Sequence, residues 1–311
     1  METLRSILTF LVALNLPTFA SVTIDWVTVG NPGNAADTTD GDQLATGVQR
    51  YGAVGYSYKI GKYEVTNAQY GAFLNAVAKT DNYELYNDNM SSFGITRSGN
   101  SGSYTYSVTT ALANRPVVYV SWLDAARFAN WLANGQGSGS TETGSYTLDG
   151  ATYGIYLANA GAQIYIPTED EWYKAAYYNA ANSTYSLYPN GQNTLTTADA
   201  NYGSSVGSGS STNVGTYSGD PSYYGTFDQG GNVWEWNDAA VSDANRGLRG
   251  GAWASSSPSY HLAGLSSSNR YSQANNYEFN NVGFRLVAVP EPSSLALTML
   301  FSGAILVRRR R

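Results

Sequence analysis

Gly230-Gly231-Asn232-Val233-Trp234-Glu235-Trp236 is the stretch on which the reading of this chain turns. The paired glycines allow a turn that a residue with a Cβ resists. After them a polar residue alternates with a large aromatic one, a pattern that sends Trp234 and Trp236 into a core. Asp228 and Glu235 bracket the turn, with backbone carbonyls between them. Calcium takes six to eight oxygens from such groups, and a hydrogen-bonded turn uses the same atoms without an ion.

Working outward, three helix starts are legible. Thr66-Asn67 caps a helix carrying Tyr70, Phe73, Leu74 and Val77 at i, i+3, i+4 and i+7. Ser121 starts a second, with Trp122, Ala125, Ala126, Ala129, Trp131 and Leu132, and Asn134-Gly135 stops it. Thr168-Glu169-Asp170-Glu171 is a capping box with Glu171 at N3, followed by Trp172, Ala175 and Ala176. Its crowded carboxylates suit the positive end of a helix, and capping is favoured over an acid/base pair. Strands are expected over 23–29, 56–63 and 282–287. Residues 81–114 show no clear period, and 203–219 reads as loop. There is no repeat at a fixed period, so the expected class is α+β with few helices, short strands and much irregular chain.

Five separated motifs stand in order. They are Lys62-Tyr63-Glu64-Val65-Thr66-Asn67, then Arg115-Pro116-Val117-Val118-Tyr119-Val120-Ser121-Trp122, then Ile166-Pro167-Thr168-Glu169-Asp170-Glu171-Trp172. The glycine-rich stretch above is fourth, and Arg249-Gly250-Gly251-Ala252-Trp253, closed by Gly283-Phe284-Arg285, is fifth. Together they resemble the formylglycine-generating enzyme, or sulfatase-modifying factor, family over roughly Trp26 to Val289. The resemblance implies an irregular C-type-lectin-like α+β fold with short antiparallel strands. It implies a calcium site from Asp228 and Glu235 with the carbonyls of Gly231 and Val233. A second family calcium site would begin at Asn201 and Tyr202, but Val206 to Ser211 offers no acidic partner. Arg249 and Arg285 are expected to pair with buried carboxylates such as Glu64 or Glu235, with anion binding as the alternative.

The resemblance breaks where the chemistry would be. Oxidase members of the family hold copper on two cysteines after the Arg-Gly-Gly-Ser-Trp motif, and soft sulfur is what selects Cu(I). This chain has no Cys. Ser255 and Tyr260 stand near the two positions, so no copper is expected. Related iron enzymes need three histidines, and here His261 is the single one. What the resemblance leaves is a groove near Trp253, Ser255, Tyr260, Asn269, Arg270 and Tyr271, in which glycan or peptide is the expected ligand. The competing readings are an enzyme of another chemistry on the same fold and a matrix protein with no discrete ligand. Fold analogy does not choose among them.

The ends speak to destination. Residues 1–20 carry Arg5, an apolar run from Ile7 to Leu16, and Ala20 at the expected cut, the layout of a signal peptide. Residues 290–311 carry Pro290, Glu291 and Pro292, an apolar stretch 295–307, and Arg308 to Arg311. That stretch reaches roughly 20 Å as a helix, short of the ~30 Å hydrocarbon core, and the arginines would stay cytoplasmic. This tail resembles the PEP-CTERM sorting signal of Gram-negative bacteria. It implies recognition by an exosortase, transient anchoring through 295–307, and a final place at the cell surface or outside the cell. The domain left between the ends is 21–289, about 270 residues, enough for a substantial core. Glu2 and Arg5 cancel, and losing Glu291 with four arginines takes the formal net charge from −6 to −9. Such an acidic domain repels phosphate, so nucleic acid is not an expected partner. The many tyrosines, 26 in all, suit a polar binding surface with flat apolar faces.

Overall fold

The computed structural model describes residues 21–39, 50–203, 210–254 and 262–289. The signal-like segment, the sorting-like tail, Ser255, Tyr260 and His261 lie outside the described residues. In chain order the elements are β1 (Trp26–Val29), β2 (Tyr58–Gly61), α1 (Asn67–Val77), β3 (Ile95–Ser98), β4 (Thr105–Val108), α2 (Trp122–Ala133), β5 (Ile164–Tyr165), α3 (Glu169–Tyr177), β6 (Tyr178–Asn179), β7 (Thr184–Tyr185), β8 (Trp234–Ala240), β9 (Asn245–Arg249), β10 (Tyr271–Ala274), β11 (Val282–Gly283) and β12 (Val287–Ala288).

Local chemistry sets the three helices. Thr66 accepts from the backbone N–H of Gln69 while the Gln69 side chain accepts from Thr66, a closed capping box. Ser121 and Asp124 do the same for α2, and Thr168 and Glu171 for α3. Each cap satisfies amides that the helix start leaves without partners. The apolar stripes then meet. Phe128 of α2 stacks on Tyr70 of α1 at 6.0 Å and meets Phe73 edge-on at 5.4 Å. Phe284 closes on Phe128 from the C-terminal end of the domain at 5.5 Å. α2 is buried nearly all round, from Trp122 to Leu132, so it runs through the core rather than over it.

Two four-stranded sheets flank this core. One runs β1-β2-β12-β5 and is antiparallel throughout. The other runs β10-β9-β8-β11, antiparallel except where β11 joins β8 in parallel. That parallel step pairs Val282 with Trp234 and Gly283 with Glu235, and so delivers Arg285 beside Glu235. Residues 81–114, without period in the sequence, form the β3–β4 hairpin and two short 3-10 helices, Asp88–Ser92 and Thr110–Leu112. Their elements are too short for a periodic signal to develop.

The glycine-rich turn before β8 requires its glycine. Gly231 has φ +89°, and a Cβ there would stand 2.5 Å from the carbonyl oxygen of Asn201. Its N–H donates to the carbonyl of Gly250, which ties the fourth and fifth sequence motifs together. Trp236 is fully buried, as the alternation predicts, but Trp234 is only half-buried. It lies against Tyr271 of the edge strand β10 instead of inside the core.

Candidate functional site

Two buried ionic clusters stand behind the motifs. In the first, Arg285 grips Glu235 with two parallel bonds, Nε to Oε2 at 2.5 Å and Nη2 to Oε1 at 2.6 Å. The same guanidinium donates to the carbonyls of Gly61 and Phe227, both at 2.9 Å, and Trp172 Nε1 donates to Glu235 Oε2 at 2.8 Å. Glu64 is fully buried beside them, its Oε2 4.0 Å from Arg285 and without a hydrogen-bond partner. Its Oε1 accepts from Asn232 Nδ2 at 3.0 Å. Asp228 completes the set, and its Oδ2 accepts from Gly215 N–H at 2.6 Å. Burial first, and then Asp228, push the Glu64 carboxyl well above the usual range. Burial likewise pushes Asp228 up to about 6, against the pull of Gly215 N–H and Arg285.

In the second cluster one carboxylate serves two guanidiniums. Glu169 Oε1 accepts from Arg249 Nε at 2.7 Å and from Arg270 Nε at 3.0 Å, and Oε2 accepts from Arg270 Nη2 at 2.8 Å. Arg249 also holds the carbonyls of Ser267 and Asn269 and lies 4.5 Å from the centre of the Tyr51 ring. Both motif arginines therefore organise buried loops. Arg285 takes Glu235, one of the two carboxylates expected, and leaves Glu64 at 4.0 Å. Arg249 takes Glu169, from the turn that starts α3, and Glu171 beside it caps that helix.

The candidate groove residues divide. Trp253 is 8 % exposed, packs on Val118 and Val233, and donates through Nε1 to the carbonyl of Asn280. Arg270 turns its guanidinium inward to Glu169, and Asn269 contributes a carbonyl to Arg249. Tyr271 is 49 % exposed and lies against Trp234 at 5.7 Å. What accompanies it was not legible as a group. Tyr277 and Phe279 stack at 5.8 Å with their planes 19° apart, and Phe279 is 46 % exposed. Tyr119 donates its N–H to the carbonyl of Phe279 and meets Phe93 edge-on at 5.4 Å. Trp234 donates its N–H to Asn281. The result is two exposed ring pairs, Tyr271 on Trp234 and Phe279 on Tyr277, with a third pair, Phe93 and Tyr119, tied to Phe279 through the Tyr119 N–H. The one sequence sign of it was the alternation of Tyr277 and Phe279.

The implied calcium ligands meet a mixed setting. Among the described residues no group of three or more His, Cys, Asp or Glu side chains is arranged to hold a metal ion. An ion here would rest largely on carbonyls. Glu235 Oε2 already has two donors, whereas Oε1 has one and keeps a lone pair. The charge does fit. Three buried or nearly buried carboxylates, Glu64, Asp228 and Glu235, face the single guanidinium of Arg285. Fully ionised, they would carry an excess of two negative charges, which the raised Glu64 and Asp228 carboxyls relieve by holding protons and a divalent cation would relieve in their place; Glu64 also keeps an orphaned oxygen.

Comparison with known proteins places this geometry. The family model of the sulfatase-modifying factor enzyme 1-like domain matches residues 23–289. Among solved structures the chain is similar to Treponema denticola variable protein 1, at 23 % identity over 88 % of this chain and 98 % of that one, with a TM-score of 0.59. It is similar to CarF at 22 % identity over 86 % and 99 %, TM-score 0.57. For PvdO from Pseudomonas aeruginosa the values are 18 %, 85 % and 94 %, TM-score 0.51. No curated protein matches the chain. At these identities the likeness is one of fold. With few helices and short, mostly antiparallel strands, that fold is α+β and C-type-lectin-like.

Proposed function

The chain belongs to the sulfatase-modifying factor enzyme 1-like domain family, and we propose that it acts there as an exported, non-catalytic binding protein. The two exposed ring pairs are the observation that carries this reading. Tyr271 and Phe279 offer rings to solvent, each backed by a second ring, Trp234 and Tyr277. Rings held flat by other rings lose little freedom when a ligand stacks on them. A glycan or a peptide is the ligand class that such rings suit.

The missing sulfur supports the same reading. Copper-dependent oxidation of a substrate thiol needs thiolate ligands, and the chain contains no Cys. Calcium is proposed as a structural ion on Asp228, Glu235 and the carbonyls of Gly231 and Val233. It would supply charge balance and hold the turn before β8. Export is proposed from the signal-like residues 1–20, and sorting by an exosortase from Pro290, Glu291 and Pro292, with display at the cell surface or release. Among the described residues no helix is long and apolar enough to cross a membrane.

The test is a glycan and peptide array probed with the full chain in mild detergent, beside a variant carrying Tyr271→Ala and Phe279→Ala. Binding by the parent and its loss in the variant, with unchanged circular dichroism, support the proposal. Conversion of a cysteine peptide to an aldehyde by the purified chain, with no array signal above background, would replace it with an enzymatic role.

A further inference from the structure

The turn between β6 and β7 carries a modification signal that neither ionic cluster nor ring pair uses. Asn182-Ser183-Thr184 fits the pattern Asn-X-Ser/Thr with X other than proline, the acceptor pattern for an N-linked sugar. The sequence holds that pattern twice, here and at Asn89-Met90-Ser91. The fold presents the two in opposite ways. Ala181, Asn182, Ser183 and Thr184 are all exposed at the hairpin tip. Thr184 opens β7 opposite Asn179, so one end of the tripeptide is pinned to a strand. Its hydroxyl donates to Asn182 Oδ1 at 2.6 Å, and its N–H donates to the same oxygen at 3.3 Å. This is an Asx turn, closed through Ser183 at φ +57°. Both bonds fall on the oxygen, and Asn182 Nδ2 donates to nothing among the described residues. At the second copy the same atoms are engaged. Asn89 Nδ2 donates to Asn87 Oδ1 at 2.9 Å, and Ser91 Oγ donates to the carbonyl of Asp88 at 2.8 Å. Met90 between them is 1 % exposed, within the 3-10 helix Asp88–Ser92.

From this contrast we infer that Asn182 is the acceptor of an N-linked glycan and that Asn89 is not. The acceptor atom is Asn182 Nδ2. The donor is a sugar activated at its anomeric carbon as a diphosphate ester, carried on a polyprenyl lipid or on a nucleoside. Nδ2 bonds to that carbon, and the bond from the carbon to the diphosphate oxygen breaks. The diphosphate leaves with the electron pair, and the Nδ2 proton passes to a base of the transferring enzyme. Such an enzyme has to close around the acceptor tripeptide. A hairpin tip admits it with the fold intact, whereas Asn89 is reached only by pulling Met90 out of the core. The inference goes beyond the binding role proposed above and does not rest on the ring pairs.

The experiment is peptide mass spectrometry of the full chain recovered from the cells that make it, beside the variants Asn182→Gln, Thr184→Val, Thr184→Ser and Ser91→Ala. The peptide containing Asn182 is expected to carry added sugar, and the peptide containing Asn89 is expected to carry none. The added mass should vanish in Asn182→Gln. It should also vanish in Thr184→Val, which keeps the branched shape suited to a strand but lacks the hydroxyl. Thr184→Ser and Ser91→Ala should both keep it. A single hexose would identify the nucleoside-carried donor, and a larger preassembled block the lipid-carried one. An unmodified Asn182 in the parent chain overturns the inference, and so does sugar on Asn89. Sugar that survives Thr184→Val, or that maps to the oxygen of Ser183 or Thr184, overturns it as well.

Discussion

The two buried ionic clusters use the same groups in opposite proportion. Around Glu169, two guanidiniums share one carboxylate. Around Arg285, three carboxylates share one guanidinium. The first satisfies its acid fully and lets Arg270 reach towards the surface, where 12 % of its side chain is exposed. The second is sealed, leaves Glu64 Oε2 without a partner, and drives two carboxyl groups towards protonation. A guanidinium in excess at a margin is easily hydrated. A carboxylate in excess inside a core is not, and it either keeps a proton or needs a cation. The Glu169 cluster thus satisfies its acid as folded and leaves only Arg249 Nη2 without a partner, while the Arg285 cluster is short of positive charge.

The sharpest way to break this comparison is Arg285→Leu. It strips from three carboxylates the one guanidinium that faces them among the described residues, and chemical denaturation should show a loss of ~3–5 kcal/mol. A loss below about 1 kcal/mol would mean that the cluster is already neutral. Gly231→Ala attacks the turn that positions Asn232 against Glu64. With φ +89° and a Cβ only 2.5 Å from the Asn201 carbonyl oxygen, the expected cost is ~1–3 kcal/mol in the same assay.

Calcium tests the imbalance directly. Saturating ion at ~100-fold its dissociation constant should add about 2.7 kcal/mol, read as a higher melting temperature than in chelator. Asp228→Asn should remove the difference, and an unchanged melt in the parent protein would count against the ion. A cavity lined by Asp81, Glu84, Asp88, Glu278 and Arg97 repeats the shortage of cations nearer the surface, and it makes stability depend on pH. Glu278 is held up to about 8, so the folded state keeps a proton that the unfolded chain has released. Its contribution is complete below the unfolded value of about 4.3 and is lost as pH rises through about 8. Glu278→Gln should flatten that fall, for a relative gain of roughly 1–2 kcal/mol at the alkaline end once shared titration with its neighbours is discounted. The smallest effect belongs to the basic cluster. Arg270→Gln leaves Glu169 paired with Arg249 and should cost about 1 kcal/mol or less. A loss as large as that of Arg285→Leu would erase the distinction.

Much of the frame was legible. Thr66, Ser121 and Thr168 mark the three helix starts because a capping box closes within one turn and needs no distant partner. That Arg285 would pair with a buried carboxylate such as Glu64 or Glu235 was also readable, but the choice of Glu235 was not. The partner of Arg249 was not, because Glu169 comes from a different motif and meets it only through the fold. The 81–114 region failed for a different reason. A four-residue strand such as Ile95–Ser98 spans two alternations, too few to stand out from loop. Trp234 misled because alternation assigns it a face but does not say which neighbour covers that face. Tyr271 covers it from an edge strand, so the indole stays half-buried.

The amino-acid sequence by itself determined where the helices begin, which turn must be glycine, that no thiolate is present, and which family's pattern the chain carries. All of these depend on residues near one another or on residue types that are simply there or missing. Tertiary structure decided which carboxylate each arginine holds, where positive charge runs short, and that Tyr271 meets Trp234 and Phe93 meets Tyr119. Those outcomes arise from groups far apart in the chain, and their energies depend on burial, which exists only once the chain has packed.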